Sequence, residues 1–202
     1  MSHGVTAWLL AACIMLLATG AAPAPQKKKT ASEVEVKAAF LVTVAGYVSW
    51  PDSAFASKTD PIVIGVIGKD PFGKVLDTLI VKQERHGRSF RILRLRALPE
   101  KPTPEQEAAA DAAIRSCHVL FVCSSEKKRL DRTLALTRNR PILTVSDLSG
   151  FARDGGMIGL RIDRRRKIAF EMNVASARLC AIRVSPDLLN MAERTYTKVK
   201  NR

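Results

Sequence analysis

Pro61-Ile62-Val63-Ile64-Gly65-Val66-Ile67-Gly68-Lys69-Asp70-Pro71 is the stretch on which the fold turns. Five β-branched apolar residues stand almost side by side, with none of the polar alternation of a half-buried strand. Such a run predicts a strand buried on both faces, inside a sheet with layers on either side. Asp70-Pro71 then predicts a helix start, with Asp70 as N-cap, Pro71 at the first helical position, and Val75, Leu76, Leu79 and Ile80 on the apolar side.

Upstream, Ser32 with Glu35 makes a capping box, and Val36, Phe40, Val44 and Tyr47 recur at helical spacing. This helix is expected to run to Trp50-Pro51. Downstream, Phe90, Ile92 and Leu95 alternate with arginines as a second strand, and Thr103-Pro104-Glu105-Gln106 opens an Ala-rich helix to about Arg115. A third strand covers His118 to Cys123, a helix passes through Leu130 and Leu134, and a fourth strand covers Pro141 to Val145. The rhythm then changes. Met157 to Ile162 and Lys167 to Met172 are strand-like runs separated only by Asp163-Arg164-Arg165-Arg166, a hairpin signal. Two short helices close the chain, one from Val174 to Cys180 and one capped by Ser185-Pro186-Asp187.

Strands alternating with helices imply a parallel sheet covered on both faces. The expected fold class is α/β, with a mainly parallel central sheet of about six strands, a C-terminal antiparallel hairpin, and helices on both faces as an α/β/α sandwich. The 202 residues suffice for one core and not for two full domains. With 47% hydrophobic and 26% charged residues, a disordered or fibrous chain is excluded.

Residues 1–24 read as a signal peptide. Val5 to Ala22 carries no charge, and Gly20, Ala21, Ala22 and Ala24 offer cleavage positions. Retention as an N-terminal anchor is the alternative, because only the α-amino group and His3 supply positive charge ahead of it. Leu10-Ala11-Ala12-Cys13 resembles a lipoprotein box but sits too early in the apolar run. Residues 25–31 read as a flexible leader with Lys27-Lys28-Lys29, 32–197 as the single domain, and 198–202 as a tail. The expected location is the periplasm, with the signal peptide cleaved.

The formal charge of +14 belongs wholly to the part after the signal segment. It is compatible with an anionic lipid surface or an acidic protein partner, and equally with a solvated basic surface. Export removes intracellular nucleic acid as a partner. Without Cys13, Cys117, Cys123 and Cys180 remain, enough for one bridge at most. Cys117 and Cys123, at the two ends of one strand, would stand about 20 Å apart and cannot bridge there.

The chain carries no constellation of nucleophile, base and oxyanion donors. Gly65-Val66-Ile67-Gly68 matches neither a Walker A loop nor a dinucleotide fingerprint and reads as a tight turn. No Gly-x-Ser-x-Gly elbow occurs. His3, His86 and His118 are too scattered for a metal cluster, and His118 reads as a structural strand residue. Accordingly no catalytic, cofactor-binding or metal residue is assigned, no cofactor is expected, and the chain is expected not to be an enzyme. Ser146 and Asp147 lie at a strand's carboxyl end, where α/β proteins bind ligands, although a helix N-cap accounts for them equally well. Gly155-Gly156 is read as a turn into the hairpin. Arg164, Arg165 and Arg166 are candidate partner contacts at an exposed hairpin tip. Leu188, Leu189 and Met191 are a candidate apolar anchor, with core packing as the alternative.

A resemblance emerges from Ala38-Ala39-Phe40 leading to Trp50-Pro51, then Ile64-Gly65-Val66-Ile67-Gly68-Lys69-Asp70-Pro71-Phe72-Gly73. Cys117-His118-Val119-Leu120-Phe121, Leu143-Thr144-Val145-Ser146-Asp147, Gly150-Phe151, Gly155-Gly156-Met157-Ile158, Ile168-Ala169-Phe170-Glu171-Met172-Asn173 and Ser185-Pro186-Asp187-Leu188-Leu189 follow in order. The chain resembles the YfiR family of periplasmic proteins over about residues 33 to 195. That resemblance implies an α/β sandwich without catalytic residues, a homodimer in many members, and restraint of an inner-membrane signalling protein. The partner it implies is a diguanylate cyclase, through which cyclic di-GMP and biofilm formation are controlled, or a sensor kinase. The resemblance also implies redox tuning through disulfides. This chain matches the cysteine at the third strand, Cys117, but lacks an obvious later pair. A periplasmic small-molecule binding module is the second reading, with its site near Ser146 and Asp147.

Overall fold

The computed structural model describes residues 31–97, 99–164 and 167–198, within the unit Ala31–Arg202. The signal segment, the leader up to Thr30, Arg165, Arg166 and residues 199–202 lie outside the described residues. In chain order the elements are α1 (Glu33–Val44), β1 (Val48–Ser49), β2 (Ile62–Ile67), α2 (Lys74–Ile80), β3 (Glu84–Arg85), β4 (Arg88–Leu95), α3 (Pro104–Arg115), β5 (Val119–Val122), α4 (Leu130–Thr137), β6 (Leu143–Ser146), β7 (Ile158–Ile162), β8 (Ile168–Asn173), α5 (Val174–Leu179), β9 (Arg183–Val184), α6 (Pro186–Met191) and β10 (Arg194–Tyr196). Short 3-10 turns occupy Asp52–Ala54 and Ser124–Arg129.

The main sheet runs β10-β8-β7-β6-β5-β2-β4-β3. Its pairings are parallel except for the β7–β8 hairpin and β3 against β4. The mostly parallel sheet with its antiparallel hairpin is the architecture the sequence predicts. The eight strands against the expected six arise because β3 and β10 are short edge strands of two and three residues. Runs that short leave no periodic signal.

β2 is buried at every position, as its unbroken apolar run requires. Its register sends Ile62, Ile64 and Val66 to one face and Val63 and Ile67 to the other. The first face continues through Val119, Phe121, Leu143, Val145, Ile158 and Met172, and packs against Ala38, Leu41 and Val42 of α1, Leu76 of α2 and Leu188 of α6. On the second face Leu120 and Val122 meet Ile114 of α3, Leu130 and Leu134 of α4, and Phe151. Each buried aliphatic side chain contributes roughly 1.5–3 kcal/mol by leaving water.

Two helix boundaries differ from the expected ones. α1 keeps its capping box, Ser32 with Glu35, but ends at Val44 rather than at Trp50-Pro51. The chain turns at Gly46 and enters β1, where Val48 and Ser49 pair antiparallel with Val184 and Arg183 of β9. Trp50 buries its ring and donates its Nε1–H to His118 O at 3.1 Å. Tertiary pairing therefore overrides the helical spacing that Tyr47 continues. Likewise Asp70 does not cap α2, which begins at Lys74 behind Gly73. One Asp70 oxygen accepts the Phe72 amide at 2.7 Å and the other accepts Arg94 Nε at 2.7 Å. That turn drives Phe72 into the core, edge-on to Phe121 at 4.8 Å, before the helix can start.

Candidate functional site

In an open parallel sheet, ligands gather at the strands' carboxyl ends where successive crossovers leave in opposite directions. Here that point lies between β2, whose chain goes on to β4, and β5, whose chain goes on to β6. The protein fills it with its own side chains. Glu126, in the turn after β5, has no exposed side-chain surface, and its two oxygens accept Arg129 Nε and a second Arg129 nitrogen at 3.0 Å each. The Lys69 amide donates to Ser125 Oγ at 2.9 Å, tying the β2 loop to the same turn. Gly68, at φ +101°, lets the two loops meet, since a Cβ there would stand 2.5 Å from Ser125 Oγ and 2.9 Å from a Glu126 oxygen.

The neighbouring strand end is also committed. Ser146 Oγ donates to Val122 O at 2.7 Å and accepts the Leu148 amide at 3.0 Å, which uses its hydrogen and one lone pair. No helix follows it, so the N-cap reading of Ser146 and Asp147 is corrected: residues 147–157 cross the second face as turns. Asp147 Oδ2 accepts Lys37 Nζ at 2.7 Å, and Lys37 also pairs with Glu33, one helical turn earlier, at 2.5 Å. Burial pulls the Lys37 pKa down, but the hydrogen bonds to Asp147 and Glu33 outweigh it and the pKa is raised. Asp147 is therefore a tether for α1. Its Oδ1 is buried without a hydrogen-bond partner among the described residues.

At the opposite end of the sheet His118 takes the structural position expected of it, just ahead of β5. Nδ1 accepts the Val63 amide at 3.0 Å, Nε2 meets Ala54 O at 3.0 Å, and the ring stacks on Phe55 at 4.2 Å. In the turn before the hairpin the Phe151 ring lies on Gly156, while Gly155 lines a cavity between α4 and α5. Cys117, Cys123 and Cys180 are buried free thiols. Among the described residues no three His, Cys, Asp or Glu side chains are placed to hold a metal ion, and no helix is long and apolar enough to cross a membrane.

The structure thus does not bring Arg164 together with Ser146 and Asp147 into one site. Arg164 is exposed at the hairpin tip, which is closed by Lys167 N–H donating to Asp163 Oδ1 at 2.8 Å; Arg165 and Arg166 lie outside the described residues. Below the tip, the second face of β7, β8 and β10 bears polar groups. Arg161 pairs with Glu193 at 2.6 Å, both at least half exposed, and Tyr196 donates to Glu171 at 3.0 Å. Of the candidate anchor, Leu188 is core, Leu189 is half-buried against it, and Met191 is 53% exposed. The sequence reading missed Glu126 and Lys37. Ser124-Ser125-Glu126-Lys127-Lys128 looks like a solvated turn, and only the Glu33–Lys37 spacing hinted at an ion pair.

These features define an α/β sandwich of mainly parallel strands in which charged side chains pair at the carboxyl ends of β5 and β6, while a cavity of about 340 Å³ opens at the ends of β2 and β4, lined by Ile67, Leu95, Gln106 and Ile114 among others. The chain belongs to the YfiR/HmsC-like family, whose model matches residues 34–193. A search of curated proteins finds no match.

Proposed function

We propose that the protein is an exported, non-catalytic regulator that binds and restrains an inner-membrane signalling protein such as a diguanylate cyclase. Through that partner it would lower cyclic di-GMP and biofilm formation. One observation carries this reading: nearly the whole folded unit matches the YfiR/HmsC-like family. The polar flank of β7, β8 and β10, with the Arg164 hairpin tip at its end, supplies charges for encounter, and exposed Met191 supplies an apolar contact.

The test is capture from membranes of cells that make the protein, followed by binding kinetics with the captured partner. Replacing Arg164, Arg165 and Arg166 together by Ser should slow association and flatten its salt dependence, with less effect on dissociation. Recovery of no membrane signalling protein, or an unchanged on-rate at low salt, would count against the reading. A second reading, a small-molecule binding module, is favoured by a cavity of about 170 Å³ between α4 and α5, lined by Asp131, Arg138, Met157 and Cys180 among others. A ligand-dependent rise in melting temperature that fails on Met157→Trp would support it.

A further inference from the structure

Residues 51–61 connect β1 to β2 and are pinned to the sheet through one aromatic stack. Phe55 lies between His118, parallel at 4.2 Å and 11°, and the Arg88 guanidinium, 3.7 Å from the ring centroid. Trp50 meets both rings edge-on. Arg88 also donates to Ser57 O and Asp60 O at 2.9 Å each, and Asp60 caps the Ala56 and Ser57 amides. His118 is one of two joints of this assembly: it bonds to the segment, at Ala54 O, and to the sheet, at the Val63 amide, while Arg88 holds the segment from β4.

Those two bonds determine the ring's protonation. Nδ1 faces a backbone N–H and must accept, so the ring's single hydrogen sits on Nε2 and is donated to Ala54 O. A proton arriving on Nδ1 would place two donors face to face and strip the Val63 amide of its acceptor.

We propose that His118 is an acid-released latch: uptake of one solvent proton at Nδ1 breaks the bond from Val63 and sets an imidazolium against Arg88 across the Phe55 ring, so that residues 51–61 lift away to let the charge reach water, uncovering Trp50 and Phe55 while the rest of the sheet stays folded.

The surroundings are arranged in that sense. Facing the ring are Arg88 and Arg91 of β4, which oppose a second positive charge, and Asp60, which favours it. The Cys117 thiol, Arg115 at the end of α3 and Arg140 line the same hollow, and both arginines are held by Asp111. Burial pushes the His118 pKa below its ordinary 6.5, and with Arg88 and Arg91 it outweighs the Ala54 hydrogen bond and Asp60, which favour the charged ring. The latched state therefore takes up its proton at lower pH than the released one. Below about pH 6.5 the released state binds more protons, so the latch is fully held above that pH and weakens as pH falls.

The experiment uses the full chain carrying Trp8→Phe, so that Trp50 is the one tryptophan. Trp50 emission should stay constant from about pH 7.5 to 6.5 and then shift reversibly to the red towards about pH 5, the ratio of released to latched protein rising by at most about tenfold per pH unit, with far-ultraviolet dichroism unchanged. His118→Gln, which cannot take up a proton, should show no shift over this range. A transition of the same size in the Gln variant would overturn the proposal. Should that variant fail to fold, nitrogen NMR of the parent decides. The Val63 amide resonance moving in step with His118's own titration supports the latch, and a Val63 amide that stays put while His118 becomes charged refutes it.

Discussion

Glu126 has no solvent-exposed side-chain surface, and Arg129, three residues on, grips both of its oxygens at 3.0 Å. Removing the cation strands a charge that cannot reach water. Arg129→Ala should cost about 3 kcal/mol by denaturant unfolding, and Glu126→Gln less, because the amide can stay bonded to Ser125. The double variant should be more stable than Arg129→Ala alone. Strict additivity in that cycle would show that the pair does not hold the turn.

The ring of Phe151 lies so close over Gly156 that a Cβ there would come within 2.1 Å of it. Gly156→Ala should therefore destabilise by about 1–3 kcal/mol through overpacking, and Phe151→Ala by about 3–5 kcal/mol through the cavity it leaves. Combining the two should cost less than their sum, since the missing ring makes room for the methyl. Thermal melts of the three variants check this; an additive result would mean that the contact is slack.

Burial pushes the Cys117 thiol up to about 11 and the Cys123 thiol to about 12. At pH about 8 both are overwhelmingly protonated and poor nucleophiles. Iodoacetamide should leave them unmodified in the native protein while labelling them readily in guanidinium, as read by peptide mass mapping. The melting temperature should not change with reductant. Fast native labelling at either position would contradict the buried environment.

Hydrogen bonds from Ser57 hold the Asp60 carboxyl below the usual carboxylate range. Its contribution is present above about pH 3.8 and is lost as pH falls through the lower folded-state value. Asp60→Asn should lower the melting temperature at neutral pH and make little difference at pH about 2.5. An equal loss at both pH values would assign its role to packing rather than charge.

Much of this fold is legible in the sequence because local and tertiary preferences agree. The unbroken run Ile62–Ile67, the capping boxes at Ser32 and Thr103, and the short Asp163–Lys167 link each specify one outcome. The misreadings come where distant partners decide. Tyr47 to Trp50 continues a helical spacing, yet β9 and His118, far along the chain, draw it into a strand and a buried indole. Asp70 has the chemistry of a cap but is claimed by Arg94. The strand-end site is the least legible part. Nothing in Ser125-Glu126 marks a carboxylate that will be fully buried, because its burial depends on Gly68 across the crossover.

The two-residue ribbon of β1 with β9 joins the start of the folded unit to nearly its end. Whatever delivers this chain, by synthesis or by threading through a membrane pore, presents Val48 long before Val184 exists to meet it. Until then Val48 and the core cluster it shares with Ile182 and Leu188 are incomplete, so the emerging chain has an apolar surface in need of a temporary guardian. Chains stopped at residue 182 should stay open to protease and hold a chaperone, whereas chains reaching residue 197 should let it go.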